Sequence, residues 1–268
     1  MPFPGVSFDF FNDFEQCVNN TTPTATQLAN SSHSAGGTWD ITNDGGLITA
    51  QTTSQSPLSA IGDAGTLGCQ YSSSTGAHGW EHWSLPAAVT KISAGFAYKT
   101  GNFPLPQYNG GEMCHAFVFS QAAFGPMWRI SDESSSADNH RQIRLSPASA
   151  GVSISVNDST WYWITMQLTI GGTVFLSIYN ITGGKVGSLV GSTNTPDNLG
   201  ATSCNEILFG NQVQSSLSLA VTTSLDNILL DTTNALFPLL PVTEGEMMAA
   251  RQVGTLGPLP EKIEVVSY

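Results

Sequence analysis

The sequence predicts an all-β protein, a two-sheet antiparallel β-sandwich followed by an extended C-terminal tail. Three observations carry that expectation. Apolar and polar residues alternate with period two along most of the chain, and no long segment before residue 240 repeats at the 3.6-residue spacing of a helix. Glycine (27 residues) and proline (14) punctuate the alternating runs at short intervals. Charged residues are only 10% of the chain, so its polar surface comes largely from 31 serines and 27 threonines, a balance that suits strands and turns.

Taken in order, alternation places strands over 6–14, 38–41, 95–98, 115–120, 127–130, 142–145, 152–156, 161–170, 173–179, 206–210 and 225–230. Gly171-Gly172 joins two of them as a two-residue glycine turn that supplies the positive φ of a tight hairpin. In 173–179, Val174, Leu176 and Ile178 fall on one face and Thr173, Phe175, Ser177 and Tyr179 on the other, so one face is core and the other partly wet. Many such strands without an internal repeat imply two packed sheets. Residues 19–60, outside the 38–41 strand, and 131–141 are rich in Ser, Thr, Asn and Gly and read as surface loops, the second exposed and both suited to carry a site. The sandwich domain is expected over 1–241. In 242–268, a short helical stretch and Pro258-Leu259-Pro260 lead to a strand-like run with Ile263 and Val265.

At 268 residues the chain can bury a core without disulfides. Twenty acids against eight Lys plus Arg give a net charge of -12, which works against nucleic acid or anionic membrane as partners. No apolar run reaches membrane-spanning length and residues 1–6 carry no leader-like pattern, so a soluble, non-exported chain without membrane insertion is expected. Cys17, Cys69, Cys114 and Cys204 are spaced too widely for a compact zinc site and are expected as free thiols.

Trp161-Tyr162-Trp163-Ile164-Thr165-Met166, the hairpin into Val174-Phe175-Leu176-Ser177-Ile178-Tyr179-Asn180, and the closing Leu225-Asp226-Asn227-Ile228-Leu229-Leu230-Asp231 resemble the concanavalin A-like lectin/glucanase jelly rolls. In that superfamily a Trp-Tyr strand enters the concave sheet, and a final Asp-Asn-Ile-x-Leu strand pairs near the first, here 7–14. The resemblance covers about 6–241 and implies the fold. Because the superfamily holds lectins, glucanases, carbohydrate-binding modules and viral coat domains, it leaves function open. It also implies a structural Ca²⁺ at Asp226 with Asp13 or Glu15 on the paired first strand. The glucanase branch needs Glu-x-Asp-x-x-Glu on one strand face. Glu81, Glu112, Glu133 and Glu206 each stand outside such a pattern, so the chain is expected not to be an enzyme.

His78-Gly79-Trp80-Glu81-His82 has the residue order of a zinc protease motif, which works only on a helix, and the Ser-rich and Pro-bearing flanks leave no room for one. Read as extended chain, it places His78, Trp80 and His82 on one face, and Trp80 with Trp83 offers indole surface for a sugar, unless one ring is core. Trp128-Arg129 and His140-Arg141-Gln142-Ile143-Arg144 gather three of the chain's four arginines. Candidate carbohydrate contacts are therefore Trp80, His82, Trp83, Trp128, Arg129 and Arg141, with ion pairing to Asp132, Glu133 or Asp138 as the alternative for the arginines.

Two functions are expected from these features. The first is a structural assembly protein with a lectin-like jelly roll, a virion surface, capsid decoration or fibre component made in the host cytoplasm. Its tail residues Met247, Met248, Ile263, Val265 and Tyr268 would contact neighbouring subunits of an oligomer or capsid. The second is a carbohydrate-binding lectin or adhesion module, extracellular or on a cell surface. The two are compatible, since a coat protein can bind surface glycans.

Overall fold

A computed structural model describes residues 10–12, 14–31, 37–44, 47–54, 56–58, 67–73, 78–101, 114–120, 127–134, 141–146, 151–212, 221–232 and 237–241. In chain order these form β1 (Phe10–Asn12), α1 (Ala25–Ser31), β2 (Thr38–Asp44), β3 (Leu47–Gln51), β4 (Gly68–Ser73), β5 (His78–Val89), β6 (Lys91–Lys99), β7 (Cys114–Ser120), β8 (Met127–Ser134), β9 (Arg141–Ser146), β10 (Val152–Val156), β11 (Trp161–Thr169), β12 (Thr173–Thr182), β13 (Lys185–Pro196), β14 (Cys204–Gln212) and β15 (Val221–Asp231). One sheet runs β13-β12-β11-β6-β15-β4-β3, with β1 added against β15 to make eight strands; the other runs β10-β9-β8-β7-β14-β5-β2, seven strands. The strands pair antiparallel, and the two sheets form the expected sandwich. Phe10 pairs with Leu230 and Asn12 with Ile228, so the closing strand lies against the first.

Alternation builds the core. Ile92, Ala94, Phe96 and Tyr98 of β6, Tyr162, Ile164, Met166 and Leu168 of β11, and Val174, Leu176 and Ile178 of β12 are buried, and they belong to one apolar cluster with Trp83, Phe119, Trp128, Ile130, Ile143, Leu145, Ile207 and Phe209 of the seven-stranded sheet. Each large apolar side chain so buried contributes about 1.5–3 kcal/mol. The β11–β12 hairpin pairs Tyr162 with Asn180 through to Leu168 with Val174. Its turn is closed by Gly172 N–H donating to Thr169 O at 3.0 Å. The positive φ falls on Gly171 (68°), the third residue of that turn, with open space where a Cβ would be, and not on Gly172.

Three sequence expectations are corrected. Residues 19–60 are not simply loop: they hold α1, a longer β2 than expected, and β3, which pairs with β4. Strand β8 extends to Ser134, so Ser131, Asp132 and Glu133 are buried strand residues rather than an exposed loop. Strand β13 was missed because its side chains are largely exposed, with no apolar face for alternation to reveal.

The outer face of the eight-stranded sheet has its own apolar cluster of Leu58, Ala97, Trp163, Leu229 and Leu239. Residues 237–241 turn back across it after β15. Trp163 Nε1–H donates to Leu239 O at 2.9 Å, and Leu239 N–H donates to Thr165 Oγ1 at 2.9 Å. The tail expected over 242–268, with Met247, Met248, Ile263, Val265 and Tyr268, lies outside the described residues.

Candidate functional site

Strand alternation separates the six predicted sugar contacts into two groups. In β5, Glu81 and Trp83 pair with Phe209 and Ile207, both core residues, so they point between the sheets. Trp80 and His82 pair with Gly210 and Leu208 and face outward. In β8, Trp128 and Ile130 belong to the core, which puts Arg129 and Ser131 on the outer face. Thus Trp80, His82 and Arg129 share the outer face of the seven-stranded sheet, while Trp83, Trp128 and Arg141 face inward. One row of register runs Asp40, His82, Leu208, Val118, Arg129, Ser146 across β2, β5, β14, β7, β8 and β9. At about 4.8 Å per strand, His82 and Arg129 stand roughly 14 Å apart.

The predicted indole surface is corrected. Trp80, Trp83 and Trp128 are all buried, so none presents an open face for stacking. Trp83 is core, and Trp128 Nε1–H is held by Asp197 Oδ1 at 2.9 Å. Trp80 packs with Leu208 in a cluster of its own. It needs Gly210 opposite: a Cβ there would stand 2.8 Å from Trp80 Cε3 and 2.1 Å from Gly79 O.

Arg141 is likewise not a ligand contact. Its buried guanidinium donates from Nη1 to Asp132 Oδ1 at 2.9 Å and from Nε to Asp158 Oδ1. Asp132 also accepts from Tyr98 Oη at 3.2 Å and Gly101 N–H at 2.6 Å. Burial raises the Asp132 carboxyl from its ordinary value and the Arg141 charge opposes it; burial lowers Arg141, and Asp132 and Asp158 more than offset that.

What the outer face does carry is polar. His82 Nδ1 lies 3.2 Å from Glu206 Oε1. Arg144 Nη1 lies 3.6 Å from Glu133 Oε2, on strands where Arg144 pairs with Ser131. Half-buried Gln142 is opposite Glu133. On this face Trp80 Nε1 and Ser131 Oγ are buried with no hydrogen-bond partner among the described residues. A buried polar group left so costs about 1–3 kcal/mol. Half-buried Arg129 has no ion pair among the described residues, whereas Arg141 and Arg144 do. Glu206 and Ser131 were missed as site residues. Alternation in 204–212, which sets Glu206, Leu208 and Gly210 opposite Ile207 and Phe209, was the signal for the first; the Ser-rich composition hid the second.

Glu81, the carboxylate of the zinc-like motif, is sealed between the sheets. It accepts from Tyr71 Oη at 2.8 Å and from Cys69 Sγ at 3.5 Å, both on β4. Burial lifts its carboxyl from 4.5 to about 7, against the Tyr71 and Cys69 hydrogen bonds. Because His78 to Val89 is a strand, His78 and His82 are separated by roughly 13 Å of extended backbone and cannot share one metal. Cys17, Cys69 and Cys204 are buried thiols that form no disulfide among the described residues.

The Ca²⁺ expectation does not fit these residues. Asp226 Oδ2 accepts from Ser56 N–H at 2.7 Å and Oδ1 from Asn227 N–H at 2.8 Å, so amide hydrogens face both oxygens where a cation would sit. Asn227 Nδ2 donates to Ser56 Oγ at 2.8 Å, completing a bridge that pins the 56–58 segment to β15. Burial pushes the Asp226 carboxyl well above its ordinary value despite these donors. Asp13 lies outside the described residues, and among the described residues no group of three His, Cys, Asp or Glu is placed to hold a metal.

The fold and its polar outer face define the class: a two-sheet antiparallel β-sandwich. No protein-family model matches the chain, and no curated protein matches it in sequence. Among solved structures it is similar to a botulinum neurotoxin type C structure described as dependent on two ganglioside molecules for cell entry (TM-score 0.42, 11% identity, 82% of this chain, 47% of that one). It is also similar to the botulinum neurotoxin type G receptor binding domain (0.43, 12%, 81% and 47%) and to an alginate lyase from Klebsiella pneumoniae (0.48, 7%, 65% and 83%). The chain spans about half the length of the toxin structures it matches. The sandwich is established by its own strand pairing and not by these distant likenesses.

Proposed function

We propose that this protein is a non-catalytic carbohydrate-binding module of concanavalin A-like type, with the outer face of the seven-stranded sheet as its binding surface. The observation that carries this reading is the set of polar side chains that reach that face, Glu206 beside His82, and half-buried Gln142 and Arg129, with the unpartnered Ser131 Oγ beneath the last. Hydroxyl-rich ligands satisfy such donors and acceptors, and a surface spanning several strands suits an oligosaccharide better than a single sugar. Pairing of the first strand with the closing Asp226-Asn227 strand supports the concanavalin A-like type. Burial of Glu81 in the core supports a non-catalytic role, since that carboxylate meets no substrate. A surface or extracellular location suits this role.

The test is affinity electrophoresis of the full chain in gels cast with a panel of polysaccharides, alongside reducing-sugar release. Retardation without sugar release is expected, reduced in His82→Ala and unchanged in Lys185→Gln on the other sheet. Migration unaffected by every polysaccharide would sink the reading, and sugar release lost in Glu206→Gln would make the protein an enzyme.

An assembly role, on a virion or elsewhere, has one observation in its favour: edge strand β13 exposes Leu189 (53%) and Val190 (37%). An edge strand with apolar side chains can take a further strand from a neighbour. A particle-bound or multimeric mass with no sugar affinity would favour it over the glycan reading.

A further inference from the structure

We infer that the glycan is acidic, and that Arg129 and Ser131 form the subsite for a sugar carboxylate; this deepens the glycan-binding reading and rests on it. In a chain with 20 acids and only 8 Lys plus Arg, an arginine has many partners to choose from. Arg141 takes Asp132 and Asp158, and Arg144 takes Glu133. Arg129 has no such partner among the described residues, although it is half-buried in the middle of the sheet. A partly desolvated guanidinium without a counter-charge is costly, and an anionic ligand removes that cost.

The second observation is independent of charge. Ser131 is the next outward residue of β8, fully buried, and its Oγ has no hydrogen-bond partner among the described residues. It lies opposite Arg144 on β9, whose next partner outward is Ser153 of β10. A short hydroxyl between two long arginines sits deep in the face. Its Oγ is out of solvent reach, so it bonds a ring hydroxyl or the second carboxylate oxygen only once the flanking arginine side chains swing toward the ligand. The planar guanidinium fork matches a carboxylate in two parallel hydrogen bonds. Glu133 holds Arg144 at 3.6 Å and so keeps it from filling the same position. Glu206 and Asp40 lie toward the other end of the row, where they disfavour a second carboxylate. The expected ligand therefore carries its acidic residue at the Arg129 end and neutral residues toward His82.

Calorimetric titration of the full chain tests this with four probes: a hexameric oligouronate, its carboxyl-reduced counterpart, a sulfated oligosaccharide of equal length, and a mixed oligosaccharide with one terminal uronate. The probe with one terminal uronate is expected to bind at least about tenfold tighter than the reduced one, and the hexameric oligouronate less tightly than the single-uronate probe. Arg129→Gln should remove that preference, Ser131→Ala should weaken it, and neither should abolish residual binding of the reduced probe. Arg129→Lys, which keeps the charge and loses the fork, should retain only part of the preference. Equal binding of the single-uronate and reduced probes overturns the acidic subsite and leaves the glycan reading standing. Sulfated and single-uronate probes binding alike overturns the carboxylate assignment. No binding of any probe, with every variant melting as the parent does, removes the glycan reading itself.

Discussion

Replacing Glu81 with glutamine should remove most of one component of the protein's pH-dependent stability. In the unfolded chain this carboxyl titrates near 4.5, and in the folded protein at about 7. Between those values the folded state keeps a proton that the unfolded state has lost, so stability falls as pH rises through the window and is level above it. A displacement of that size corresponds to about 3 kcal/mol. A glutamine side chain at this position would have no charge to bury and would still accept from Tyr71. The stability advantage of Glu81→Gln over the parent should therefore grow by about 3 kcal/mol from pH 4.5 to pH 8, or roughly 6–12 °C in Tm for a chain of this size. Urea unfolding followed by tryptophan fluorescence at half-unit pH steps measures it. Asp226, also raised by burial, titrates in both proteins and cancels in the difference. Parallel pH profiles for the two proteins would refute the reasoning, because they would mean that Glu81 reaches water or a cation when folded.

Asp132→Ala should cost about 3 kcal/mol in urea unfolding by leaving the buried Arg141 guanidinium with Asp158 alone; a loss under about 1 kcal/mol would show that water already reaches it. Gly210→Ala should destabilise by about 2 kcal/mol, since its Cβ meets Gly79 O at 2.1 Å and the Trp80 ring at 2.8 Å, and an unchanged Tm would contradict the placement of that ring. Trp163→Phe should loosen residues 237–241 by removing the bond to Leu239 O, read as faster amide exchange at Leu239. Chelation with EDTA should leave Tm unchanged because amides already occupy both Asp226 oxygens, and a fall restored by Ca²⁺ would overturn that assignment.

Strong alternation was legible, and it delivered the core strands: Val174, Leu176 and Ile178 are buried on one side as their spacing required. The same period also held the answer for β5, where it sorts Trp80 and His82 from Glu81 and Trp83. What it cannot supply is which side of a sheet is covered. Both faces of β5 are buried at 80–83, so chemical type gave no clue to direction, and the indoles looked available for stacking when they are not. Ser131, Asp132 and Glu133 were hidden for the opposite reason. Their polarity reads as solvent, yet Asp132 is buried: it meets Arg141 in the ion pair the sequence offered as an alternative, and it meets Tyr98 and Gly101, which stand 34 and 31 residues away and outside any local window. The fate of Asp226 was not legible either, because Ser56, which binds it, lies 170 residues away.

The two tyrosine–carboxylate contacts between the sheets have a mechanical consequence. The interlocked apolar side chains between the sheets already resist sliding by their shape, and directional bonds add fixed points to that resistance. Tyr71 to Glu81 joins β4 to β5, and Tyr98 to Asp132 joins β6 to β8, several strands away. One directional bond opposes sliding and still allows rotation about itself; two separated bonds oppose both. The layers are riveted rather than merely stuck. Shear resistance, measured by pulling in the plane of the sheets, should therefore drop when either tyrosine is replaced by phenylalanine.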